Sequence, residues 1–180
     1  MQIEPKTIIL TVALFAVCFA AVMIREHINT KKGQTGEDLA KIRQVIKRLL
    51  PDYPSYTTAY ALYKIRRSTG RSVRTTYYHY AVAFKPGELF VVPIQYSGGE
   101  VSWQGSGALL TPENLGKVEH DRTGTALFDL SGKELCRFDV HLSYTRQDKY
   151  EPFNIQQQAE GKAFEQFIIE FAKEVNSRHS

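Results

Sequence analysis

Five cations crowd one turn. Lys64, Arg66, Arg67, Arg71 and Arg74 flank the residues Ser68, Thr69 and Gly70. Arginine forks match phosphate or carboxylate oxygens in pairs, so several of them converging on a hairpin turn would make an anion or lipid-headgroup site. The competing reading is a solvated hairpin whose charges keep a strand edge from pairing with other chains.

Catalytic constellations are missing. His27, His79, His120, His141 and His179 are scattered, and none forms a HExxH, a His-x-His pair or a Cys/His spacing suited to zinc. His120, beside Asp121 and near Glu119, comes nearest to an acid–base or metal pair, against the alternative of a solvated strand end. Gly105, Ser106 and Gly107 lack the flanks of a nucleophile elbow, and there is no P-loop or GxGxxG. These residues predict a binding module without metal, cofactor or catalytic residues.

The cations lie in a segment patterned for strands. Tyr56 to Arg67 and Ser72 to Phe84 are rich in Tyr, Thr, Val and Ala and read as a long hairpin. Lys85 to Glu88 turn the chain into a strand over Leu89 to Tyr96. Pro93 has no amide proton and predicts an edge or a bulge there. Ser97 to Gly99 lead to Val101–Gln104, followed by Ala108–Leu110, a turn at Thr111–Asn114 and a short strand over Lys117–His120. Ala126, Phe128 and Leu130 alternate, as do Cys136, Phe138 and Val140, which gives a final hairpin. His141 to Phe153 reads as a polar loop.

Two amphipathic helices bracket the strands. Thr35 is placed to cap a helix carrying Leu39, Ile42, Val45, Ile46 and Leu49 at helical spacing, which Pro51 stops. Its basic flanks suit either a helix lying on lipid or one packed on its own domain. Asn154, with Gln157 three residues on, resembles a capping box for a second helix with an apolar stripe from Ile155 to Val175.

Upstream, Thr7 to Ile24 carries no charge and would make a helix about 27 Å long, close to the thickness of bilayer hydrocarbon. A cleaved signal peptide would want a more basic start, a shorter apolar core and small residues before the cut, and Val17 precedes Cys18 where a lipoprotein needs a small residue. The expected organisation is a tail over 1–6, an anchor over 7–24, a linker over 25–34, a helix over 35–50 and a domain over 55–176. Arg25, Lys31, Lys32, Lys41 and Arg43 follow the span, so the domain is expected on the cytoplasmic side.

Composition agrees with one globular domain: 43% hydrophobic and 23% charged residues, with a net charge of +4. That excess is too small to indicate nucleic acid without a motif. Cys18 and Cys136 lie too far apart in kind of environment to form a disulfide framework.

The order of one helix, about seven meandering strands and a closing helix resembles the pleckstrin-homology-like (PH-like) family, in a bacterial-type, membrane-anchored setting. AVAFKPGELFVVPI resembles that family's strand–turn–strand unit, ALLTPENLGKVEHD the passage into its second sheet, and GTALFDLSGKELCRFDV its last hairpin. The resemblance implies an α+β fold: two packed antiparallel sheets closed by a C-terminal amphipathic helix, here preceded by a short helix and one transmembrane helix. It departs from the family in two places. The only Trp is Trp103, outside the closing helix, and Arg71 and Arg74 are separated by two residues where the phosphoinositide-binding members have a basic-x-Arg triplet, with one residue between. The expected function is a single-pass, non-catalytic membrane module recognising anionic lipid or a partner protein. The alternative is an extracytoplasmic docking subunit of an envelope or secretion complex.

Overall fold

The computed structural model describes residues 37–70, 72–146 and 153–178. The expected anchor, linker and Thr35 cap lie outside them, as does Arg71. Among the described residues no helix is long and apolar enough to cross a membrane.

The fold is α+β with antiparallel sheets and a C-terminal helix. Helix α1 (Glu37–Leu49) and a 3-10 turn (Tyr53–Ser55) lead into β1 (Thr57–Thr69), β2 (Ser72–Lys85), β3 (Glu88–Ser97), β4 (Glu100–Trp103) and β5 (Ala108–Leu110). These strands form one sheet in the order β1-β2-β3-β4, with β5 also on β3. Strands β6 (Lys117–Asp121), β7 (Gly124–Phe128) and β8 (Glu134–Phe138) form a three-stranded sheet. A hairpin of β9 (Ser143–Arg146) and β10 (Phe153–Gln156) precedes α2 (Gln158–Arg178).

The large sheet is apolar on both faces in its centre, and the period of two sorts its residues. Ala59, Ala61, Val82, Phe84, Leu89 and Val91 point to a core shared with the small sheet and with Phe164, Ile168, Phe171 and Val175 of α2. Tyr60, Leu62, Ala81, Ala83, Phe90 and Val92 point the other way, onto Leu39, Ile42, Val45 and Ile46 of α1 and Phe153 and Ile155 of β10. Each fully buried aliphatic or aromatic side chain contributes roughly 1.5–3 kcal/mol by leaving water. The apolar stripe of α1 is therefore spent on the domain's own core, which removes the reading of a helix lying on lipid.

Pro93 sits where its missing donor does least harm. Gln104 N donates to Pro93 O at 3.1 Å, so the main-chain groups of Pro93 face away from β2. On that side β3 pairs with β5 over Leu89–Val91 and with β4 only from Ile94 onward. The proline falls in the gap between the two partners, as an edge or interruption there requires.

Two expectations are corrected. The segment from His141 to Phe153 is not all loop: Ser143–Arg146 pair with Phe153–Gln156, and Phe153 is buried with its ring 5.2 Å from Tyr60 and 4.5 Å from Tyr96. Asn154 does not cap a helix either. It is paired in β10, its N–H donates to Asp38 Oδ2 at 3.0 Å, and α2 begins at Gln158. Ile155 is thus a strand residue facing the α1 side rather than part of the α2 stripe. Among the described residues there are ten strands rather than about seven, the extra ones being this hairpin and the short β5.

Candidate functional site

The long hairpin outgrows its sheet. β1 and β2 pair without a break from Thr57↔Phe84 to Thr69↔Ser72, whereas β3 pairs with β2 only from His79 to Lys85. Beyond Leu62↔His79 the hairpin is a ribbon of two strands with no third among the described residues, closed by a turn in which Gly70 has φ +56°. Only glycine adopts that backbone without strain.

Cross-strand partners share a face, so the register decides where each cation points. Lys64 lies opposite Tyr77 and Arg66 opposite Thr75, while Arg67 lies directly opposite Arg74. Lys64 and Arg66 therefore occupy one face and the Arg67–Arg74 pair the other. Residues 66 and 67 are neighbours in a strand and must diverge, so the four described cations divide between the two faces of the ribbon. All four described cations are exposed.

The tyrosines that mark these segments as strands also shape the surface of the ribbon. Tyr77, Tyr78 and Val73 are exposed. Tyr63 and Tyr78 face each other with centroids 6.3 Å apart, and Lys64 Nζ sits 5.8 Å from the centre of the Tyr77 ring. A run such as Thr-Tyr-Tyr-His-Tyr at 76–80 in a predicted strand signals aromatics on both faces, which is the clue that was present.

At the ribbon's base a groove of about 870 Å³ opens between Lys64, Thr75 and Tyr77 on one side and His141, Ser143 and Tyr144 on the other. Two of its lining residues, His79 and Tyr144, pack on the buried Tyr60: Tyr60 Oη and His79 Nδ1 are 2.6 Å apart, and the Tyr60 ring lies 5.4 Å from Tyr144. None of the lining residues is acidic. At the groove's rim His141 Nδ1 lies 3.4 Å from Asp139 Oδ2.

The other candidates are structural. His120 Nδ1 is 3.0 Å from Thr125 Oγ1 and its Nε2 is 3.8 Å from Glu165 Oε1, while Asp121 turns to the main chain and hydroxyl of Thr123, which hold its carboxyl below the usual carboxylate range. Burial pushes the Cys136 thiol up to about 12, so it stays protonated and a poor nucleophile at neutral pH. Burial likewise pushes Tyr80 up to about 12. Among the described residues, no three His, Cys, Asp or Glu side chains are grouped to hold a metal ion. The ribbon and its groove remain the surface with chemistry to offer: fixed positive charge, exposed tyrosines and hydroxyl donors.

Compared with known proteins, the chain matches no family model, no curated protein and no solved structure.

Proposed function

We propose that this chain is a non-catalytic, single-pass membrane-anchored module of PH-like type, whose ribbon rests on the anionic lipid of the membrane that holds it. The observation that carries the reading is the pair Arg67–Arg74, set directly opposite each other on a ribbon that no third strand supports among the described residues. Like charges across a strand pair are destabilising, and an anionic surface under both guanidinium groups relieves that cost. Each Lys or Arg near such a surface contributes about 1 kcal/mol, and exposed tyrosines suit the headgroup region.

The PH-like part of the proposal is supported by order: a larger antiparallel sheet first, a three-stranded sheet second, a closing helix last. The anchor is supported by the uncharged run from Thr7 to Ile24. A fragment of residues 33–180 is expected to co-sediment with vesicles containing an anionic phospholipid at low salt and to release as salt rises. Equal recovery with purely zwitterionic vesicles would defeat the lipid reading and leave docking to a partner protein in its place.

A further inference from the structure

The outer edge of β1 is satisfied in its first half and open in its second. Leu62 N donates to Asp139 O at 2.9 Å and Asp139 N to Leu62 O at 2.8 Å, and both main-chain groups of Tyr60 are bonded to the Gln157 side chain. In an antiparallel ladder the main-chain groups of alternate residues point to the same side. Those of Lys64, Arg66 and Ser68 therefore face outward with Tyr60 and Leu62, while Ile65 and Arg67 face β2. Among the described residues nothing bonds to these outward groups. Asp139, which meets β1 there, lies just past the end of β8 as an isolated bridge, and among the described residues no backbone hydrogen bond joins β8 itself to β1. The groove shares Leu62 and Lys64 with this edge.

From this geometry we infer that the edge of β1 from Lys64 to Ser68 takes a strand from an acidic, extended protein segment, by main-chain pairing. Unpaired strand edges are templates for exactly such addition in general terms, with hydrogen bonds supplying affinity and side chains supplying choice. Charge selects the occupant. A second copy pairing edge to edge would bring Lys64, Arg66 and Arg67 against their own counterparts, a like-charge arrangement that disfavours self-association. An incoming strand with Glu or Asp at alternate positions meets Lys64 and Arg66 on one face, and its other side chains meet Arg67. This docking surface is a main-chain edge, distinct from the side-chain faces offered to lipid, and it does not depend on the lipid reading.

The test uses the full chain in nanodiscs of zwitterionic lipid, with the peptide Glu-Val-Glu-Val-Glu-Val-Glu as probe. Amide exchange at Lys64 and Arg66 is expected to slow at least tenfold, with Ile65 and Arg67, already in the ladder, unchanged. Arg66→Ala should weaken binding several-fold through lost charge, whereas Arg66→Pro, which also removes the outward N–H but no β1–β2 hydrogen bond, should abolish it. A peptide N-methylated at alternate residues should not bind, a control that needs no altered protein. Equal binding by the Pro and Ala variants, or by the N-methylated peptide, would reduce the contact to charge attraction and overturn the inference. So would protection of Lys64 and Arg66 amides by anionic vesicles with none from the peptide, because the edge would then be a lipid contact.

Discussion

The side-chain amide of Gln157 stands in for a missing strand beside Tyr60. Its Oε1 accepts from Tyr60 N at 2.8 Å, and its Nε2 donates to Tyr60 O at 2.8 Å and to His141 O at 2.7 Å. The same residue supplies the main-chain carbonyl that accepts from Gly161 N at 2.8 Å and so starts α2. One buried residue thus ties the first strand, the chain leaving β8 and the closing helix together.

Replacing Gln157 with Met keeps the length and removes all three side-chain bonds. Each buried main-chain group left without a partner costs roughly 1–3 kcal/mol, so the variant should lose about 3 kcal/mol or more. Urea unfolding of residues 33–180 measures this. A loss below about 1 kcal/mol would mean that water replaces the amide without penalty.

Closure of the core by α2 predicts a graded response along that helix. Phe171 is buried, its ring stacked 5.1 Å from Phe167, whereas Phe167 is only partly buried and leans 5.0 Å from Phe84. Phe171→Ala should cost roughly 3–5 kcal/mol, Phe167→Ala less, and Lys162→Ala, at an exposed position, little. Equal small losses at all three would mean that the helix does not close the domain.

What the sequence reveals here depends on how local the cause is. The long hairpin, the turn at Gly87 and the last sheet hairpin follow from alternation and turn residues, and the structure has them close to where those signals lie. The β9–β10 hairpin was hidden because most residues of that stretch are polar. Only Phe153 and Ile155 carry its alternation, and Ile155 also fits a helical stripe. Gln157 has the spacing of a local cap, whereas its partner Tyr60 lies 97 positions away. No spacing rule reaches that far. The cation cluster was legible as a list but not as geometry, since the assignment of Arg66 and Arg67 to opposite faces needs the ladder register.

The β7–β8 turn should set part of the acid limit of the domain. Asp129 Oδ1 accepts from Ser131 N at 2.9 Å, Ser131 Oγ at 2.6 Å and Lys133 N at 3.0 Å, and these bonds hold its carboxyl below the ordinary value of 3.8. A carboxyl depressed on folding stabilises the protein above the unfolded value and loses that contribution as pH falls through the folded one. Asp129→Ala should therefore be less stable than the native chain at neutral pH, with the gap narrowing as pH drops below about 3.8. A gap that stays constant to low pH would assign the effect to something other than the carboxylate.

The charge bias after Ile24 predicts that residues 25–180 are cytoplasmic. Protease added to intact spheroplasts should leave the domain whole and digest it only after lysis. Digestion without lysis would favour the extracytoplasmic docking subunit.

The two faces of the ribbon allow the lipid reading to be tested one face at a time. Arg67 and Arg74 form one charged pair, and Lys64 and Arg66 lie on the other face beside Tyr77, where the groove begins. If the membrane lies under the Arg67–Arg74 face, neutralising that pair to Gln should remove most vesicle binding by residues 33–180, while Lys64→Gln with Arg66→Gln should leave most of it. Removing two repelling charges from an unsupported ribbon should also leave stability unchanged or slightly raised, so a loss of binding cannot be blamed on unfolding. Neutralising Arg66, Arg67, Arg71 and Arg74 together should abolish binding. Each lost cation should flatten the dependence on salt, because fewer attractions are left to screen. Should the quadruple variant bind like the parent, the ribbon is not the membrane contact, and with the apolar face of α1 already buried the exposed basic side chains of that helix become the surface to test.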